Sequence, residues 1–199
     1  AAYLSRTFGT WSFRTGASGS IHAIDSERNV LGSSLRADYF AYTAQTFAEI
    51  AYARACGQFA VEPFFNMALV YNRTGSFSES GGLGALTSEG SDNVLGFATL
   101  GTRFATQYRM ENGWTLMPRA MLAWQHAIGA LDQSATFTFQ NTGTGFTVRG
   151  VPMARETLFA EGGLDILLTP LHTVGLLYAA NASTTSLEQQ VKGKFELKF

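Results

Sequence analysis

Charge is scarce in this chain of 199 residues. Lys, Arg, Asp and Glu together make 15% of it, against roughly 25% in ordinary soluble domains. The net charge is -1 and the basic residues form no cluster, so nothing points to nucleic acid or another polyanionic partner. A single cysteine, Cys56, excludes an internal disulfide. It sits in the turn-like stretch Ala55-Cys56-Gly57-Gln58, with only Arg54 nearby to activate a thiolate, and reads as incidental. A long apolar run is also missing. The best stretch, residues 164–182, is interrupted by Asp165, Thr169-Pro170 and His172, whereas a spanning helix needs about 18 or more apolar residues. It reads better as two strands joined at Thr169-Pro170-Leu171. Residues 1–6 have neither a basic segment nor an apolar core, so no signal peptide opens the sequence. The expectation is a cytosolic chain or a piece of a longer precursor.

Motifs for chemistry are equally thin. His22, His126 and His172 lack metal-ligand spacing, so no metal site and no cofactor are expected. No Gly-x-Ser-x-Gly elbow occurs. The stretch Ser80-Gly81-Gly82-Leu83-Gly84 has no Lys-Ser/Thr after it and suits an outer loop better than a phosphate cradle. Ser20 with His22 is the one close nucleophile–base pair, which leaves an outer-membrane hydrolase as a minor alternative.

Glycine (21) and phenylalanine (16) are plentiful, proline (4) is rare, and the mean hydropathy is near zero. That combination suits strands with one lipid face, because a membrane barrel hides its apolar residues in alternate positions. Period-two runs predict eight long strands, at residues 11–24, 38–53, 58–72, 93–109, 114–127, 147–168, 172–181 and 186–199. The fold class is all-β, an antiparallel transmembrane β-barrel. In the first strand Trp11, Phe13, Ala17 and Ile21 oppose Arg14, Ser18, Ser20 and His22, and the others divide in the same way.

A soluble sandwich would also alternate, but its polar face is usually rich in Lys and Glu. Here that face is mostly Thr, Ser, Gln, Asn and Gly, with isolated charges. The apolar face repeatedly ends in Tyr or Trp, as an interfacial girdle does. Connections alternate too. Short turns are expected near residues 53–58, 110–113 and 168–172, and longer Gly/Ser/Thr-rich ones at 25–37, 73–92 and 128–146. Short periplasmic turns and long external loops are the barrel pattern; the short turn at 182–185 is the exception.

The inward charged set is Arg14, Glu49, Glu62, Arg103, Arg119, Glu161, Asp165, Glu188, Lys192 and Lys194. These charges either pair with one another to satisfy a wet interior or line a hydrophilic conduit for an unfolded chain. The last fourteen residues alternate most cleanly. Leu187, Val191, Phe195, Leu197 and Phe199 share one face, and Glu188, Gln190, Lys192, Lys194, Glu196 and Lys198 the other.

Several stretches together resemble the translocator barrel of bacterial autotransporters (type V secretion). They are Leu35-Arg36-Ala37-Asp38-Tyr39, Thr43-Ala44-Gln45 with Glu49-Ile50-Ala51-Tyr52, Val61-Glu62-Pro63-Phe64, Leu116-Met117-Pro118-Arg119, Leu122-Ala123-Trp124-Gln125-His126, Phe146 to Pro152, and Lys192 to Phe199. The resemblance implies a twelve-stranded Gram-negative outer-membrane barrel that exports and anchors an amino-terminal passenger and is not an enzyme. About eight strands are present. Residues 1–6 match the tail of an earlier strand, so residues 1–199 form one barrel domain without its amino-terminal strands and lumen helix. It further implies three partners: outer-membrane lipid, the passenger, and the barrel-assembly machinery, which reads Leu187, Val191, Phe195, Leu197 and Phe199. A self-contained eight-stranded barrel acting as anchor or adhesin through its loops is the main alternative.

Overall fold

A computed structural model describes residues 1–30 and 32–198. Among the described residues there are fifteen strands: β1 (Ala2–Phe8), β2 (Trp11–Val30), β3 (Ser33–Tyr52), β4 (Arg54–Cys56), β5 (Phe59–Thr74), β6 (Phe77–Ser78), β7 (Leu86–Ser88), β8 (Ser91–Thr106), β9 (Tyr108–Arg109), β10 (Thr115–Gly129), β11 (Ser134–Phe139), β12 (Gly145–Arg149), β13 (Glu156–Thr169), β14 (His172–Ser183) and β15 (Leu187–Leu197). The wall is one antiparallel, curled sheet in the order β1-β2-β3-β5-β8-β10-β13-β14-β15. Every neighbour in it is a sequence neighbour across a hairpin, apart from short insertions. This is the meander that long period-two runs separated by turns build.

Two short strands continue longer ones. β3 and β4 keep a single register against β5, but the ladder is interrupted between Ala51↔Phe64 and Arg54↔Val61, opposite Pro63. β8 and β9 are interrupted in the same way against β10, opposite Pro118. Proline has no N–H to give, so each breaks the ladder locally without shifting it. Each of these prolines lies near the turn end of its strand.

All eight expected strands are found, with three corrections. Residues 25–37 are not a long connection: β2 and β3 run on as strands of 20 residues each. The expected strand at 147–168 is two strands of different sheets, because Gly150-Val151-Pro152 separates β12 from β13 and a proline cannot continue the ladder. The long connections at 73–92 and 128–146 hold β6, β7 and β11, which with β12 form a second, four-stranded sheet in the order β12-β11-β7-β6. The segment at residues 1–6 is indeed strand: β1 pairs with β2 from Ala2↔Ala17 to Phe8↔Trp11.

β1 lines β2 from Trp11 to Ala17 on one side and β3 lines it on the other, and β15 does not pair with residues 11–24. Among the described residues β15 pairs only with β14, and β1 only with β2, so both edges of the wall are free.

The two faces differ as lipid and lumen require. Outward residues are apolar and exposed: Ile21 (69%), Leu122 (53%), Leu176 (59%), Phe195 (68%). A soluble monomer rarely exposes so broad an apolar surface. Inward positions are sheltered, as at Ser12, Ala51, Phe64, Leu95, Thr99, Ala123 and Thr173.

Candidate functional site

The outer face carries a charge-free band. Outward positions of β2 hold no charge from Trp11 to Ala23, and then come Asp25 and Glu27; in β3 none lies between Tyr52 and Phe40, and then come Asp38 and Arg36. The partners across this hairpin are Asp25↔Asp38 and Glu27↔Arg36, so the band ends on both strands at one level. Arg73↔Asp92 on β5 and β8, and His126↔Glu156 on β10 and β13, continue the charged rim. Trp11 faces Tyr52 at the turn end, with rings 4.9 Å apart, and Ile21 faces Tyr42 at the loop end. The ten rises from Trp11 to Ile21, at about 3.3 Å each and tilted about 45°, cross roughly 23 Å between the two aromatic ends, close to the apolar band of about 25 Å of outer-membrane barrels. One outward charge breaks the pattern: Arg6 of β1, opposite Phe13.

The inner face concentrates charge at one place. Arg14 (β2), Glu49 (β3), Glu62 (β5) and Arg103 (β8) form a neutral four-member cluster. Glu49 Oε1 accepts from Arg14 Nη1 at 2.6 Å and from Arg103 Nη1 at 3.0 Å, and its Oε2 accepts from Arg103 Nη2 at 2.8 Å. Glu62 Oε1 accepts from the same two arginines, at 3.0 and 2.8 Å. Below it, the Arg103 guanidinium lies 3.8 Å from the centre of the Phe64 ring. Phe64 fits there because Gly101 is its neighbour on β8. A Cβ at Gly101 would lie 2.6 Å from Phe64 and 2.5 Å from Ala123.

The other expected lumen residues are placed as follows. Asp165 and Arg119 approach to 3.7 Å, and the Asp165 carboxylate lies across Gly175 of β14, where no side chain would fit. Lys194 pairs with Glu196 at 2.6 Å. Glu161, Glu188 and Lys192 share the inward face but make no ion pair among the described residues. Leu187, Val191, Phe195 and Leu197 are exposed on the outer face of β15, and Phe199 lies outside the described residues.

Ser20 Oγ and His22 Nε2 do meet, at 2.9 Å, but both are exposed on an open strand face, and among the described residues no carboxylate orients the histidine. No group of three or more metal-ligating side chains forms among the described residues either. A pair that sequence reasoning did not single out lies at the loop end. Arg28 grips Glu79 through two hydrogen bonds of 2.6 Å. Glu79 lies in a Gly/Ser-rich segment without alternation, so no pattern marks it.

The sequence profile of the family described as "Autotransporter beta-domain" matches residues 1–179. The chain belongs to the autotransporter beta-domain family. The autotransporter domain is thus an outer-membrane translocator domain of Gram-negative bacteria, in which the family's barrel mediates passage of a passenger and is not itself catalytic. Two relatives, each named "Extracellular serine protease" and each from Serratia marcescens, are 27% identical to it over 201 residues. The alignments cover 99% of this autotransporter domain and 19% of each relative, so the chain spans about a fifth of the length of those proteins.

Proposed function

We propose that this autotransporter domain exports and anchors a passenger carried amino-terminal to it on the same polypeptide. The observation that carries this reading is the pair of free edges, β1 and β15, on a wall whose lipid face is otherwise complete. Hydrocarbon tolerates no open sheet edge, because each unpaired backbone group costs several kcal/mol there. The wall therefore calls for further strands, and the preceding polypeptide is their natural source. In this reading residues 1–199 are the carboxy-terminal part of the barrel domain, and about four strands and a lumen helix come from upstream.

The inner face suits passage. Arg14, Glu49, Glu62 and Arg103 satisfy one another, so these charges offer little grip to a moving chain. Arg119, Glu161, Asp165, Glu188, Lys192 and Lys194 line the remaining wall with both signs. Leu187, Val191, Phe195 and Leu197, outward on β15, together with Phe199 in sequence, are the feature that the barrel-assembly machinery would read, and outer-membrane lipid covers the outward face of β15 after insertion.

The test is surface exposure of the passenger on intact cells. With the full-length polypeptide, added protease should degrade the passenger; with the domain removed, the passenger should stay protected in the periplasm. A passenger that reaches the surface without the domain overturns the proposal.

A further inference from the structure

Leu35 is fully buried (0% exposed) although it lies on the tip of β3, beyond the apolar band. The segment after β5 covers it. Arg36 and Ser80 exchange both backbone hydrogen bonds, at 2.9 and 2.8 Å, and Gly81 packs so tightly on the Ser34–Leu35 backbone that any side chain there would strike the Ser34 carbonyl. Arg28 holds the nearly buried Glu79 carboxylate, and its Nη2 also donates to the Gly84 carbonyl at 2.6 Å. Tyr39 stacks on Phe77 with ring centres 4.8 Å apart. The β11–β12 hairpin joins from the other side, where Gln140 Nε2 donates to the Glu79 carbonyl at 2.7 Å.

Arg28, Leu35 and Tyr39 all belong to the inward face of β2 and β3. The four-stranded sheet is therefore folded over the mouth rather than splayed outward. A cavity of about 700 Å³ remains between it and the wall, lined in part by Arg28, Tyr39, Asp132 and Phe137. Its attachment is local to the tips of β2 and β3, through the Arg36–Ser80 bridge, the Gly75 N–H to the Phe40 carbonyl, the Arg28 contacts with Glu79 and Gly84, the packing over Leu35 and the Tyr39–Phe77 stack, against continuous ladders in the wall. Such a region can open without dismantling the sheet beneath it.

We propose that the β12-β11-β7-β6 sheet is a lid over the outer mouth of the lumen, latched by Arg28 and Glu79, which an exported chain must lift to leave. This rests on the export reading above. The lid can be locked by Arg36→Cys with Ser80→Cys in a Cys56→Ser background of the full-length polypeptide. The two positions are hydrogen-bonded bridge partners, whose Cα separation of about 5.5 Å lies within disulfide range.

The readout is protease-accessible passenger on intact cells, with the disulfide followed by gel mobility. The oxidised pair should reduce surface passenger at least tenfold, dithiothreitol should restore it, and each single-cysteine variant should match the parent. Full display with the disulfide formed overturns the lid. If the Cys56→Ser parent itself displays no passenger, the export reading fails instead. Planar-bilayer conductance of the purified full-length protein then tests the lid alone: Glu79→Ala should raise the open fraction several-fold, and an unchanged open fraction overturns it.

Discussion

Glu49 reaches over the whole of β5 to accept two hydrogen bonds from Arg103, at 3.0 and 2.8 Å. Strands β3 and β8 are next-nearest neighbours, about 9.5 Å apart in a flat sheet, so this contact is also a measure of how far the wall curls inward. Glu62 and Arg14 lie beside it, and the four side chains brace four consecutive strands.

Removing one member should loosen that brace. Glu49→Gln leaves two arginines to share Glu62, at an expected cost of about 1–3 kcal/mol for a hydrogen-bonded, partly buried charge. Glu49→Gln combined with Arg103→Met should recover part of the loss. The temperature at which the folded barrel converts to its unfolded mobility in SDS gels is the measurement, and a double variant worse than the sum of the singles would contradict the pairing.

The lipid face can be checked by charge insertion. Arg at Leu164 should cost about 2–4 kcal/mol near the bilayer midplane, whereas Arg at inward Thr157 should be nearly neutral. Urea titration of the full-length protein in lipid vesicles separates the two, and equal effects would mean that the faces are exchanged.

Gly101 and Gly162 make a matched pair for packing. An added methyl at Gly101 would collide with Phe64 and Ala123, while at Gly162 it meets nothing within 4 Å. Gly101→Ala should destabilise by about 1–3 kcal/mol, as overpacking does, and Gly162→Ala should change stability little. The same unfolding assay decides.

Acid should weaken the latch. The Arg28 guanidinium, with a backbone N–H from Leu86, holds the Glu79 carboxyl below its ordinary value of 4.5. A depressed carboxyl stabilises the folded state above its unfolded value and loses that contribution as pH falls through the folded one. Protease sensitivity of the 79–86 segment should therefore be flat from neutral pH down to about 4.5 and rise below it. Glu79→Gln should be sensitive throughout.

Deleting Phe199 should lower the amount of barrel inserted in the outer membrane, read as heat-modifiable protein in membrane fractions. Normal insertion without it would contradict the proposal that the barrel-assembly machinery reads Phe199.

The strands were legible wherever lipid and lumen impose opposite demands on alternate residues. Beyond the band that contrast vanishes. Asp25, Glu27, Arg36 and Asp38 look like loop residues because the outward face there is charged instead of apolar, yet β2 and β3 continue through them. The lid sheet was illegible for a related reason: its strands are short, lie among Gly, Ser and Thr, and are held by Phe77, Phe137 and Phe146 packing on one another. Alternation singles out the charged positions one by one. That Arg14, Glu49, Glu62 and Arg103 converge was not legible, because register and curl bring them together, and neither can be read from spacing.

The charge-free band also works as a ruler. Its aromatic ends stand roughly 23 Å apart, which fits a thin bilayer and falls short of an ordinary hydrocarbon core of about 30 Å. In a thicker membrane, either lipid would have to compress around the wall or the end residues Trp11, Tyr52 and Tyr42 would be drawn into hydrocarbon. The penalty on each side of that mismatch gives the domain a thermodynamic preference among membranes that needs no receptor to read it.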